Sequence, residues 1–565
     1  VHILIHGKTP WAAEEMRETF RVNSFFLSDG VRESVNEGWN DYTPSFLSDV
    51  PSLFEDAILP LDVALIQVSP PDELGYCSLG VSVDVIPSAV RAARRVVAQV
   101  NPRMPRTHGD SFLHKDSIDY YFEAEEELPE WKPEPDNGEA ERIAHYTAQL
   151  IEDGSTLQLG VGRIPDQICR ALSGHKHLGI HSEMFSDGVM HLMKSGVVDN
   201  TLKGFGRGRS VTSFCLGSQE LYRFLHDNPH VQLLRTELTN NITNIARNPR
   251  MVAINSAVEV DLTGQVAADS IAGNFYSGIG GLIDFMRGAA MSPGGLPIIA
   301  LPSTAKGGTV SRIVPRLSPD AGVVGSRADV HFVITEYGIA TLRGRSIRER
   351  ALELIQIAHP KFRDELLSFA RERKYVPTYE QLVPRPVSGA SGVDWERISL
   401  CNEEYILRPL HLSDERRLQE FFYSHTAETV HKRYGYHITT MTRERSYELV
   451  SVNQERDLAL GIFEMKGPRQ RIHAVGRYYL DKNGESAEIA FVVRESKRRC
   501  GMGTFLLKRM LKIAKRRGLK RLWAYVMRNN EAMLRCFERN GGVITPGDES
   551  DTVQVVFNLT DQDKD

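Results

Sequence analysis

Residues 155–183 read "STLQLGVGRIPDQICRALSGHKHLGIHSE". The apolar run of Leu157 and Leu159 enters a glycine loop at Gly160 and Gly162. "PDQICRALSG" (165–174) then has helical spacing, with Pro at its start and Gly at its end. "KHLGIHSE" (176–183) is a second predicted strand. Strand–helix–strand order predicts parallel sheets with helices on both faces, an α/β fold. A right-handed crossover makes the two strands neighbours. The glycine loop and Glu183 then both end at the carboxyl edge of the sheet, where α/β ligands bind. Glycines at a helix start let backbone N–H groups approach an anion. The loop is not GxGxxG, because Pro165 takes the third position, and no GK[ST] follows for a P-loop. Backbone donors facing a carboxylate suit acyl transfer: the donors hold an oxyanion and the carboxylate attacks.

Three other readings of "HSE" are weaker. In a Ser-His-acid triad, Ser182 would point away from His181 and Glu183, because adjacent strand residues face opposite ways. No GxSxG elbow surrounds it. A metal site lacks a third ligand. A strand end capping the helix of "SDGVMHLMKSG", through Ser186 and Asp187, needs no function at all. Two other strand carboxylates compete with Glu183. "AINSAVEVDLTGQ" (253–265) alternates, with Asn255, Glu259 and Asp261 on one face, and "VHFVITEYG" (330–338) ends on Glu336. Pattern alone leaves all three open.

Upstream, "LDVALIQVS" (61–69) reads as a buried strand and "PSAVRAARRVVAQV" (87–100) as a helix. "ELPEWKPEPDNGEAE" (127–141) is rich in Pro and acids and reads as a linker between two α/β halves. Downstream, "YSGIGGLIDFMRGA" (276–289) puts Gly278, Gly280 and Gly281 before a helix, and "ALPSTAKGGTVSRIVP" (300–315) offers Lys306 and Arg312 beside glycines. Such a run of anion-friendly turns favours a large phosphate-bearing ligand. "YVPTYEQLVPRPVSGASGVDWER" (375–397) marks a second break. Beyond it, Arg494 to Arg521 holds twelve Lys and Arg and one acid, Glu495: a solvated face or a polyphosphate surface. "SAEIAFVVRESKRRCGMGTFLLKRML" (486–511) runs strand, R-x-x-G-x-G (Arg498, Gly501, Gly503), helix. Consecutive N–H groups in such a loop can cradle a pyrophosphate.

The 565 residues suggest three or four domains, and 41% hydrophobic content suffices for real cores. A net charge of −5 excludes bulk nucleic-acid binding. No apolar run reaches the ~18 residues of a membrane helix. Six scattered cysteines show no zinc or CxxC spacing, which fits a reducing cytoplasmic setting with no disulfide framework and no metal. The sequence opens at Val1 inside the strand-like "VHILIHG", so a start cut or processed upstream is expected.

Residues 1 to about 375 resemble the acetyl-CoA hydrolase/transferase family, which includes acetate, butyrate and 4-hydroxybutyrate CoA-transferases. The matching stretches are "VSPPDELGYCSLG", "VNPRMPRTHGD", "LQLGVGRIPD", "LGIHSEMFSDG", "INSAVEVDLTGQV", "YSGIGGLIDF", "ALPSTAKGG" and "TEYGIATLRGRS". The resemblance implies two related α/β halves, with a further strand–helix unit that family members usually carry at the start partly missing here. It makes Glu183 the nucleophile and turns Glu259 and Glu336 into cleft-lining residues. Gly160, Val161, Gly162, Arg163 and Ile164 inherit contact with CoA and the acyl oxygen, and Gly281 and Lys306 match positions that touch CoA. The implied chemistry is ping-pong exchange through a glutamyl-CoA thioester, with Glu183 already ionised at pH 7.

Residues from about 403 to 560 resemble GNAT acetyltransferases, closest to the protein-lysine type. "RPLHLSDERRLQEFF" (408–422) matches the first strand and helix. The resemblance assigns the Arg498, Gly501, Gly503 loop to the pyrophosphate of acetyl-CoA, Glu488 to a general base and Asn530 to the CoA side. Phe537 stands where many members carry a tyrosine, and Gly541 and Gly542 replace the usual Gly-Phe. The expected domains are 1–135, 136–376, a linker 377–402, and 403–560. Acyl-CoA, including acetyl-CoA, is the expected substrate, with no metal. Expected partners are short-chain carboxylates, a protein lysine for the GNAT half, and further copies of the chain as a homo-oligomer. No nucleic acid or membrane is expected. Competing functions are an acyl-CoA hydrolase on the same residues and a regulatory acetyltransferase or acetyl-CoA sensor.

Overall fold

The computed structural model describes residues 9–131, 138–378 and 395–559, apart from 411–413, 435–439, 451, 453, 455, 465–470, 482 and 548–550. The expected strand at 1–7, the middle of the 127–141 stretch and most of the 375–397 stretch lie outside the described residues. Packing divides the chain into two units. One is Val1–Arg343 with Ile357–His359; the other is Gly344–Gln356 with Pro360–Asp565. Among the described residues no helix is long and apolar enough to cross a membrane.

After a short parallel strand pair (Asn23–Ser24 with Asp41–Tyr42) and the helices Asp29–Asn36 and Val50–Glu55, the first unit forms a parallel three-stranded sheet of β1 (Val63–Val68), β2 (Arg95–Val100) and β3 (Tyr120–Glu123), with α1 (Ile86–Ala92) between β1 and β2. Two expectations change here. The strand at 61–69 is buried on one face only, with Val63 and Leu65 exposed. The helix expected over 87–100 stops at Ala92. Val96, Ala98 and Val100 instead bury one strand face in register with β1. The valine run satisfied a helical spacing locally, and pairing with β1 decided between the two.

The larger sheet carries the quoted stretch. After α2 (Glu139–Leu150) come β4 (Thr156–Leu159), α3 (Arg163–Ala171), β5 (Gly179–Ile180) and α4 (Asp187–Lys194). Then follow β6 (Met251–Asn255), α5 (Leu282–Met291), β7 (Leu296–Ala300), β8 (Phe332–Thr335) and β9 (Gly338–Thr341). The order is β5-β4-β6-β7-β8-β9; all pairs are parallel except the β8–β9 hairpin. β4 and β5 are neighbours, with Thr156 opposite Gly179, as a right-handed crossover requires. The expected single strand over 253–265 is two pieces: β6 ends at Asn255, and Glu259–Asp261 joins another sheet.

Beyond the helical stretches at Ile347–Ile357 and Arg363–Glu372, the second unit is built on one eight-stranded sheet. Its elements are β10 (Glu396–Leu400), β11 (Glu403–Pro409), α6 (Glu415–Phe422), α7 (Ala427–Tyr434), α8 (Arg443–Val450), β12 (Leu458–Glu464), β13 (Ile472–Leu480), β14 (Ser486–Val493), α9 (Met502–Arg516), β15 (Arg521–Met527), α10 (Glu531–Glu538), β16 (Val543–Pro546) and β17 (Thr552–Asn558). The strands run antiparallel except β14 and β15, which pair in parallel only over 486–488 and 521–523. Beyond Glu488 the two strands are no longer paired, and a cleft opens between them.

Candidate active site

Glu183 lies three residues beyond the end of β5, and three residues of one neighbouring segment fix its backbone. The amides of Ser213 and Phe214 donate to its carbonyl at 3.0 and 3.2 Å, and Thr212 Oγ1 donates to it at 3.0 Å. Ser182 is buried and turned the other way. Its hydroxyl donates to Leu159 O at 2.8 Å and accepts from Leu159 N at 3.3 Å. Ser182 thus staples the end of β4 to the segment that carries Glu183, and its hydroxyl is engaged there. His181 is fully buried, with Nε2 2.7 Å from Thr239 O and Nδ1 3.0 Å from Asn248 Nδ2. Burial, with Lys203 nearby, drops its pKa to about 3, so it is neutral.

The Thr239 contact places Asn240. Asn240 Nδ2 donates to Glu183 Oε2 at 2.9 Å and reaches Asp284 Oδ2 at 3.4 Å. One amide group serves two carboxylates, through its two protons. The Gly281 backbone lies against Glu183 and favours its charged form. A Cβ at Gly281 would collide with Glu183 Oε2 and with Asn240 Nδ2, so only glycine fits. Gly281 precedes α5, and Asp284 lies in its first turn with Ser48 Oγ 3.0 Å from Oδ1.

Burial pushes Glu183 up to about 7, with Asp84 adding repulsion while Asn240 and Gly281 oppose the rise. Asp284 is pushed to about 7, chiefly by burial, and Asp84 is raised by burial. The expectation of a carboxylate fully ionised at pH 7 is therefore corrected. Three acids, Glu183, Asp284 and Asp84, share this corner, and burial raises all three. A raised carboxyl pKa favours the native state while it keeps its proton. That advantage is lost as pH climbs from the ordinary 4.5 through about 7. Glu183→Gln is thus expected to stabilise the fold by up to about 3 kcal/mol at pH 8 and by almost nothing at pH 4.5. Urea melts at the two pH values check this.

Glu183, Gly281 and Asp84 line a cleft of about 1070 Å³. Gly160, Val161, Glu183 and Gly281 all face it, with Asp84 and the paired amides of Gln158 and Asn255. Gly162 caps α3 at φ +132°, a conformation that favours glycine. Arg163 and Ile164 form the first turn of α3 and are not among the lining residues. Lys306 sits exposed on a hairpin turn, away from the lining. Glu259 and Glu336 do not line the cleft, contrary to expectation. Glu259 is held by the Ser318 amide and hydroxyl, and Glu336 by those of Ser303. Of the three candidate carboxylates only Glu183 faces the cavity.

Sequence reading missed Asn240, Asp284, Asp84 and Lys203. Lys203 is buried; its Nζ donates to Ile180 O at 2.5 Å and Arg209 O at 2.7 Å, and burial lowers its pKa to about 7. It ties the end of β5 to a loop twenty residues on, a contact no local pattern announces.

In the second unit the cleft beyond the paired part of β14 and β15 measures about 1490 Å³. Glu488, Arg498, Gly501, Gly503 and Asn530 all line it. Gly501 caps α9 at φ +74°, and Asn530 begins α10. The basic run splits between both readings. Lys497, Arg498, Arg509 and Lys520 pair with acids, and Lys497, Arg498, Arg499 and Lys508 line the cleft. Phe537 is buried against Phe491 and Phe557, with centroids 5.5 and 5.4 Å apart.

Residues 6–129 and 217–370 match the acetyl-CoA hydrolase/transferase N-terminal and C-terminal domains, and residues 405–543 match the GNAT acetyltransferase domain. The 4-hydroxybutyrate coenzyme A transferase of Clostridium kluyveri is 50% identical over 374 residues, 66% of this chain and 87% of that one. A succinyl-CoA:acetate/propanoyl-CoA:succinate CoA transferase of Fasciola hepatica is 45% identical over 66% of this chain and 79% of its own. The crystal structure of 4-hydroxybutyrate CoA-transferase from Porphyromonas gingivalis superposes with a TM-score of 0.55 at 40% identity, covering 66% of this chain and 93% of that one. RipA from Yersinia pestis gives 0.62 at 38%, covering 64% and 83%. A cleft carboxylate beside a glycine loop, in a chain with these relatives, belongs to a CoA-transferase of the acetyl-CoA hydrolase/transferase family that also carries a GNAT acetyltransferase domain.

Proposed function

We propose that the first unit moves CoA between an acyl-CoA and a free short-chain carboxylate through Glu183. The observation that carries this is the cleft-facing Glu183 carboxylate, hydrogen-bonded by Asn240 and set against Gly281 beside the glycine loop. The ionised Glu183 attacks the thioester carbonyl; the C–S bond breaks and an acyl-glutamyl anhydride forms. The departing thiolate then attacks the glutamyl carbonyl. The first acid leaves as carboxylate, and a glutamyl-CoA thioester remains. A second carboxylate runs the same steps backwards. Bonds broken and formed are of similar energy, so no ATP is consumed. The Gly160 and Val161 loop supplies N–H donors to the developing oxyanion. Acetate, butyrate and 4-hydroxybutyrate are the acids that the resemblance and the relatives point to. Butyryl-CoA with labelled acetate is expected to give labelled acetyl-CoA. Free CoA accumulating without labelled acetyl-CoA would instead mark a hydrolase.

Attack requires the ionised carboxylate, so kcat/KM is expected to fall about tenfold per pH unit below about 7 and to level off above it. A profile flat from pH 5 to 8 would contradict the buried carboxylate as nucleophile.

The second unit, in this reading, transfers acetyl from acetyl-CoA to an amine, a protein lysine being the acceptor class. Glu488 removes the ammonium proton, the amine attacks the thioester, and CoA leaves as thiolate. Phe537 has no proton to give it, so solvent must. Glu488→Gln is expected to lower amine acetylation by about 10²–10⁴-fold while acetyl-CoA still binds.

A further inference from the structure

We propose that Asp284 is a positioning residue for Glu183: it fixes the direction of the Asn240 amide, and through that amide the place of the reacting carboxylate. The role rests on the reading of Glu183 as the nucleophile. Asn240 Nδ2 is 2.9 Å from Glu183 Oε2 and 3.4 Å from Asp284 Oδ2. An amide nitrogen has two protons, one for each acid. Asn240 Oδ1 is buried and finds no hydrogen-bond partner among the described residues. The amide thus gives its donor end to two acids and leaves its acceptor end empty.

Against Glu183 alone the nitrogen would be held by one proton. Asp284 takes the other. Turning the amide over would then set Oδ1 against two carboxylates at once. Asp284 is buried in the first turn of α5, three residues after Gly281. Ser48 Oγ is 3.0 Å from its Oδ1, which leaves Oδ2 to Asn240. The segment carrying Ser48 is docked on the loop before α5: the Leu47 amide donates to Gly280 O at 3.1 Å, and Phe46 pairs with Gly280 in an isolated bridge. Asn240 is fixed from its own side. Its backbone N–H donates to Thr236 O at 2.7 Å, and His181 Nε2 lies 2.7 Å from the preceding carbonyl, Thr239 O.

Neither Asp284 nor Asn240 is among the residues that line the cleft, whereas Glu183 is. Both therefore act on a bound acyl-CoA through the Glu183 carboxylate. Burial raises Asp284 to about 7, with Ser48 and Asn240 opposing the rise and Glu183 and Asp49 adding to it. A neutral or apolar side chain at the foot of α5 would avoid the cost of burying an acid there. What the acid supplies is the second acceptor on Asn240 Nδ2, an oxygen that an amide of the same shape can also offer. Ser48 and Asp284 stand 236 residues apart, and Asn240 lies 44 residues before Asp284. No local pattern announces the chain Ser48–Asp284–Asn240–Glu183.

Exchange of CoA between butyryl-CoA and labelled acetate is measured at pH 8 on the full chain and on Asp284→Ala, Asn240→Ala and the double variant, with thermal melts on each. We expect each single change to lower kcat about 10–10²-fold with KM for butyryl-CoA within about threefold, because the carboxylate loses its place while the cleft keeps its lining. The double variant should be no slower than the slower single one, since Asp284 acts through Asn240. Asp284→Asn should restore most of the rate: its carbonyl oxygen still accepts from Asn240 Nδ2, and its shape is unchanged. Asp284→Ala with the parent kcat, losses that multiply in the double variant, or Asp284→Asn as slow as Asp284→Ala overturns the proposal. Exchange that persists in Glu183→Ala overturns the reading of the nucleophile instead, whatever the Asp284 variants do.

Discussion

Glu183→Ala is expected to lose CoA exchange by on the order of 10⁴-fold or more, because the variant has no atom to carry the acyl group or CoA. The loss should fall on kcat. The cleft, its glycine loop and the Asn240 amide remain, so acyl-CoA still binds. Glu183→Gln should lose as much activity while gaining stability at pH 8, since it keeps the shape and drops the buried charge. Lost activity together with a raised melting point separates a missing nucleophile from a damaged fold. The neighbouring carboxylates cannot substitute. Asp284 is held by Ser48 and Asn240, and Asp84 by Ser82 and the Val85 amide.

Gly281→Ala should be nearly as damaging, by about 10²–10³-fold in kcat/KM. Its added methyl would occupy the space of Glu183 Oε2 and Asn240 Nδ2. The carboxylate must swing away from Asn240 and from the Gly281 backbone that favours its charged form. Because Gly281 has a negative φ of −95°, alanine itself fits the backbone without strain. The damage is thus local to Glu183. Gly196→Ala is a useful contrast. There a Cβ meets nothing within 4 Å, but φ is +77°, so it should cost stability and spare exchange. Steady-state exchange rates and thermal melts on both variants distinguish the two outcomes.

The part of this site legible in the sequence is the part built within one β–α–β unit. β4, α3 and β5 follow each other in 25 residues, so crossover handedness alone puts Gly160 beside Glu183. Asn240, Asp84 and Asp284 come from loops and a helix 57 or more residues away in the chain, and polar residues at such positions look like ordinary turn and cap residues. The choice among Glu183, Glu259 and Glu336 was equally closed to pattern: all three end or lie on strands. What separates them is a serine apiece on Glu259 and Glu336, against an open cavity on Glu183. The acidity of Glu183 is closed to pattern for the same reason. Its raised pKa comes from burial beside two other acids, and burial is a tertiary property. The strand hidden in 87–100 shows the converse: a short valine-rich run fits either period until a partner strand is present.

The claim on which the account stands is that CoA becomes covalently attached to Glu183. The direct measurement is to mix the protein with butyryl-CoA in the absence of any acceptor acid, quench in acid within seconds, digest and weigh the peptides. The account predicts one peptide containing residues 178–188 heavier by CoA minus water, with the mass on Glu183, which disappears on adding acetate. Rapid exchange with no such peptide, or the same exchange rate in Glu183→Ala, would contradict it.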